Sequence, residues 1–160
     1  MATRTITVSA KIPVAASRAY AVIADYENGH PNILTPEFTS FVVERGGIGA
    51  GTVIRFEMMI FGRKRIMRAI ITEPEPGRVL VETGLDAHPV VTTFIVDSDS
   101  DPEQCHVTFT TELPVRDGFL GLLEGYFAAR YLRPIYTREL RKLAEFAPTY
   151  SRKSQIGRPA

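Results

Sequence analysis

The end of the chain constrains the fold most. Residues 118–146 read as one long helical stretch, and residues 38–113 ahead of it read as a succession of short strands. At about 1.5 Å per residue the helix spans on the order of 40 Å, enough to cross a whole sheet. Its first half is apolar over a wide arc, with Phe119, Leu120, Leu122, Leu123, Tyr126, Phe127 and Tyr131. Its second half narrows to Tyr136, Leu140, Leu143 and Ala147, and Pro134 between them is expected to kink it. Consecutive strands favour antiparallel pairing, with helices kept to one face. The expected fold class is therefore α+β: a curved antiparallel sheet of about seven strands around a long C-terminal helix, with two short helices after strand one.

Individual strands carry a period of two. In the last of them Val107, Phe109, Thr111 and Leu113 share one side, and His106, Thr108, Thr110 and Glu112 the other. Gly62-Arg63 is expected to form a type II′ hairpin turn that sets Phe61 opposite Lys64, Met58 opposite Met67 and Glu57 opposite Arg68. That register collects Ile54, Phe56, Met58, Ile60, Met67, Ala69 and Ile71 on one face.

With 160 residues, 44% of them hydrophobic, the chain suits a single domain over residues 1–150 without metal or disulfide support. The last ten, 151–160, are basic, polar and without pattern, and are expected to be a disordered tail. A net charge of +1 gives no overall electrostatic case for nucleic acid or an anionic membrane. No apolar run approaches a membrane span, residues 1–7 lack a signal pattern, and Cys105 is the one cysteine, which fits a reducing, cytoplasmic setting.

Four stretches in this order carry a resemblance to a known family. They are Ala19-Tyr20-Ala21-Val22-Ile23-Ala24-Asp25-Tyr26, Thr72-Glu73-Pro74-Glu75-Pro76-Gly77-Arg78-Val79, Cys105-His106-Val107-Thr108-Phe109 and Arg138-Glu139-Leu140-Arg141-Lys142-Leu143. The chain resembles the START-like (SRPBCC) superfamily, in its polyketide cyclase/dehydrase and coenzyme-Q-binding branch, over about residues 4–148. The resemblance implies a helix-grip fold with a cavity between sheet and helix, and no particular reaction. Relatives often carry tryptophan in the short second helix; this chain has none, which leaves an entrance-side aromatic role to Tyr26 or Phe38.

The cavity lining expected on this basis is Phe56, Met58, Met67, Phe94, Phe109, Leu123, Phe127 and Tyr131, the thioethers suiting varied apolar shapes. The function expected is the binding of a lipid, quinone or polyketide-like molecule by a monomer or weak homodimer. The alternative is a cyclase or dehydratase using the same cavity. A third class is a partner-binding module with Met59, Phe61, Ile66 and Ile70 as an exposed patch.

No catalytic set, metal site or cofactor is expected. His30, His88 and His106 have no ligand spacing; His106 falls on the outer face, and His30 and His88 fall in loops that can reach the cavity mouth, where a general base is the alternative to the solvated side chain expected. Residues 97–101 lack the glycine and distal glutamate of a calcium loop, Glu57 and Arg68 read as a surface pair, and Cys105 as an inert thiol. Gly118, Gly121 and Gly125 weaken the start of the long helix, which suggests a mobile segment gating the cavity.

Overall fold

The computed structural model describes residues 1–151, so all of the expected tail except Ser151 lies outside the described residues. Strand β1 (Ala2–Ile12) is followed by helix α1 (Ala16–Ala24) and a single 3₁₀ turn, His30–Asn32. Six strands come next: β2 (Phe38–Arg45), β3 (Val53–Ile60), β4 (Arg63–Glu75), β5 (Val79–Gly84), β6 (Val91–Ser98) and β7 (Cys105–Val115). Helix α2 (Gly118–Phe146) then runs back across the sheet. All neighbours pair antiparallel in the order β1-β7-β6-β5-β4-β3-β2, so β1 closes the sheet beside the last strand. This is the helix-grip α+β fold.

The period of two becomes an inside and an outside. In β7, Cys105, Val107, Phe109 and Thr111 are buried, while His106 is exposed. The main core lies under α1 and the C-terminal half of α2, where Val22, Ile23, Leu80, Phe109, Leu140 and Leu143 are almost fully buried. Helix α2 continues through Pro134, where the ring removes only the bond to the carbonyl one turn back.

The β3–β4 hairpin differs from expectation by two residues. Its turn is centred on Phe61-Gly62, both with positive φ (50° and 73°), and Ile60 pairs with Arg63. Two left-handed central residues make a type I′ turn, whose twist matches the strands better than the turn expected at Gly62-Arg63. Phe56 therefore faces Met67, and Met58 faces Arg65. A shift of two preserves the faces, so the apolar set still points inward. Ion pairs change partners instead: Glu57 lies 3.3 Å from Lys64, and Arg68 lies 2.6 Å from Glu44.

The first half of α2 inverts the usual amphipathic arrangement. Its buried positions are Gly121, Gly125 and Ala129, at a spacing of four, while Phe119, Leu120, Leu122, Leu123, Tyr126 and Phe127 are exposed. Small residues let the helix approach closely. A methyl group on Gly121 would sit 1.6 Å from the Arg116 carbonyl oxygen, and one on Gly125 would press on the Arg4 side chain at 3.1 Å. Close packing accounts for both glycines, in place of the gating segment the sequence suggests.

Candidate functional site

Between the sheet and the middle of α2 lies a chamber of about 120 Å³. Strand β3 supplies Ile54, Phe56, Met58 and Ile60; β4 supplies Met67, and β6 Thr92 and Phe94. Phe38 and Phe41 close it from β2, and Leu132, Tyr136 and Glu139 cover it from α2. At Ile60, Met67, Val90 and Leu113 the chamber shares its wall with an open groove of about 710 Å³. That groove is bounded by the β3–β4 hairpin, the segment Asp86-Ala87-His88, the end of β7, and Glu124 and Ala128 of α2. The two spaces form an inner chamber and its mouth.

Of the expected lining, Phe56, Met58, Met67 and Phe94 face the chamber. Phe109 does not: it is fully buried one layer behind, with its ring 4.7 Å from that of Phe94 and 5.9 Å from that of Tyr136. Tyr131 packs beside the mouth and donates a hydrogen bond to the Met59 carbonyl. Leu123 and Phe127 are exposed on α2, because the glycine stripe and not the large apolar stripe faces the sheet. Phe38 lines the chamber and packs on Phe56, whereas Tyr26 is fully buried beneath His30.

Polar groups converge on this apolar space; sequence reasoning missed Glu82 and Glu139, and weighed His30 only as a loop residue able to reach the mouth. His30 is buried rather than solvated, stacked on Tyr26 at 4.5 Å and edge-on to Phe94 at 5.6 Å. Its Nδ1 lies 2.8 Å from the Ile23 carbonyl oxygen. A carbonyl only accepts, so Nδ1 carries the proton and Nε2 is left to face Glu82 Oε1 at 3.8 Å. Tyr26 donates to the same Oε1 at 2.6 Å. Tyr136 shares a 2.6 Å hydrogen bond with Thr111, which shares another of 2.9 Å with Thr92.

Glu139 stands apart from this satisfied network. It is buried in the chamber wall, and its Oε1 has no hydrogen-bond partner. Burial holds its carboxyl well above the usual carboxylate range, with the charge of Glu82 adding to the effect. Burial also raises Glu82, against the opposing pull of His30 and the Tyr26 hydrogen bond. A neutral carboxylic acid in such a place donates a proton or a hydrogen bond. Both acids had a signal in the sequence. Glu139 falls on the helical stripe of Tyr136, Leu140 and Leu143, and Glu82 shares the parity of the buried Leu80. Cys105, by contrast, has no such role: burial pushes its thiol up to about 11, which keeps it protonated.

Fold and site together define a helix-grip domain with an enclosed, acid-floored apolar chamber. The family described as "Polyketide cyclase / dehydrase and lipid transport" matches residues 3–147, and the chain belongs to it. Comparison with curated proteins found no match. Among solved structures, the KanY protein superposes with a TM-score of 0.80 at 23% identity, covering 92% of this chain and 99% of that one. The Zhui aromatase/cyclase from Streptomyces sp. R1128 gives 0.69 at 15% identity, over 96% and 99%. Norcoclaurine synthase from Thalictrum flavum, in complex with dopamine and hydroxybenzaldehyde, gives 0.69 at 13%, over 95% and 90%. At these identities the likeness is one of fold.

Proposed function

We propose that this chain binds an apolar or aromatic small molecule, of lipid, quinone or polyketide type, with one oxygen function buried against Glu139. The observation that carries this reading is the chamber: twelve apolar side chains enclose it, and a carboxyl oxygen without a hydrogen-bond partner, Glu139 Oε1, lies in its wall. Its 120 Å³ is close to the roughly 150 Å³ that holds a benzene molecule, so one ring or a short alkyl end fits inside. The rest of a larger ligand lies in the groove. Burying about 250 Å² of such a molecule yields roughly 6 kcal/mol before the cost of association. The Glu139 hydrogen bond orients it and disfavours ligands with nothing to accept it.

Native mass spectrometry of protein purified from its own host tests this reading. The expected result is a retained small molecule, mostly hydrocarbon, carrying a carbonyl or hydroxyl group. A strongly polar or multiply charged ligand would contradict it.

The acid cluster favours a second reading, a cyclase or dehydratase. In it His30 Nε2 accepts a proton from a carbon beside a ligand carbonyl. The resulting enolate carbon bonds to a second carbonyl, whose oxygen takes its proton from Glu139. Family membership and the aromatase/cyclase among the structural neighbours support this reading as well as the first. Glu139→Gln separates them. An enzyme loses turnover of a β-polyketone while still binding it; a carrier has no turnover to lose.

A further inference from the structure

The large apolar residues on the first half of α2 fill no core. Phe119 is 73% exposed and Leu122 70%, on the helix whose Glu124 and Ala128 form one wall of the groove. From the opposite wall the hairpin tip presents Phe61 at 68% and Ile66 at 59%. The Phe61 ring lies 6.5 Å from that of Tyr131, so helix and hairpin form one apolar rim around the mouth.

Basic side chains accompany that rim. Arg63, Lys64 and Arg65 follow directly on Phe61-Gly62, and Arg130 lies one helical turn beyond Tyr126. Lys64 is paired with Glu57, and Arg116 near the helix start with Glu124. Among the described residues, Arg63, Arg65 and Arg130 have no carboxylate at ion-pair distance. The acidic groups nearby are Asp86 in the groove wall and Asp117, which the N-terminal ammonium already holds at 3.3 Å. The net charge of +1 for the whole chain conceals this local surplus.

We propose that the rim of the mouth docks onto an anionic lipid surface, its aromatic and aliphatic side chains entering the headgroup region while the arginines meet lipid phosphates and carboxylates. Exposed aromatic and aliphatic residues flanked by basic ones have the composition of an interfacial anchor. Charge decides between lipid and a second copy of the chain. A two-fold contact through this patch would bring two sets of three uncompensated arginines into one interface, whereas an anionic surface supplies the missing charge. A molecule leaving the groove there would enter lipid without crossing water. The docking itself requires no ligand.

The test is co-sedimentation with vesicles of phosphatidylcholine alone and of phosphatidylcholine with about 30% phosphatidylserine. The protein is expected to pellet with the anionic vesicles, only weakly with the neutral ones, and to be released as salt approaches about 0.5 M. Arg63→Glu combined with Arg65→Glu should weaken binding at least about tenfold. Phe61→Asn combined with Leu122→Gln should do the same with the melting temperature kept, because asparagine accepts the positive φ of the turn and Leu122 is exposed. Equal binding to both vesicle types, or no binding, would overturn the proposal. So would a concentration-dependent dimer that these substitutions abolish, since the rim would then be a self-interface.

Discussion

Replacing Gly121 by alanine should destabilise the fold by about 1–3 kcal/mol, although alanine is the better helix former by about 1 kcal/mol. The new methyl group would lie 1.6 Å from the Arg116 carbonyl oxygen. That carbonyl is backbone, and it is held in place because Arg116 donates from its backbone N–H and from Nε to Glu124, at 3.2 and 2.6 Å. Either the entry to α2 moves or the first turn gives up its packing on the chain before it. Urea denaturation measures the difference. A gain of about 1 kcal/mol, the propensity value, would mean that the segment is not closely packed and would restore the gating reading of these glycines.

Glu139→Gln should change the pH dependence of stability more than any other single substitution in the chamber. Burial raises the folded-state pKa of Glu139 above its unfolded value of about 4.5, so between the two values the folded chain holds the extra proton. The stabilisation from that proton is complete below about pH 4.5 and is lost as pH rises through the folded value. Wild type should therefore fall behind the glutamine variant by up to about 1.4 kcal/mol per pH unit across that window, and match it near pH 4. Glu82 has the same sign and is present in both proteins, so the difference reports Glu139 together with its coupling to Glu82. Denaturant melts from pH 4 to pH 8 give the comparison. A pH-independent difference would mean that the carboxyl is ionised and compensated throughout.

The architecture was legible because its signals are periodic and local. The alternation in β7 and the length of α2 each fix an element without reference to any partner. The hairpin turn was less so: glycine marks a turn but leaves its phase open, and the positive φ of Phe61 was not expected of an aromatic residue. Its two-residue phase error left the faces intact, which is why Phe56, Met58 and Met67 were placed on the inward side despite the wrong pairing.

The candidate site was legible in its apolar half only. Leu123 and Phe127 were assigned inward on the rule that large apolar residues are buried, and α2 breaks that rule by packing on glycine. The burial of Glu82, Glu139 and His30 is hidden for the converse reason. Acids and loop histidines are ordinarily solvated, and their burial here follows from tertiary closure between β5, the 3₁₀ turn and α2. The apolar helical stripe around Glu139 and the strand parity of Glu82 with Leu80 were the sequence signals that pointed the other way.

The proposed function places a ligand in the space beneath α2. Met67 lies where chamber and groove share a wall, half-buried and opposite Phe56, so Met67→Phe narrows the passage without entering the main core. Titration with a fluorescent apolar probe, on wild type, Met67→Phe and Phe61→Asn, tests the claim most directly, the last variant accounting for probe held on the exposed rim. Saturable binding is expected of wild type and of Phe61→Asn. Binding at least about tenfold weaker is expected of Met67→Phe, with stability within about 1 kcal/mol of wild type. A wild type that binds no probe, together with a Met67→Phe variant destabilised by about 1–3 kcal/mol, would show a packed core beneath α2 in place of a chamber.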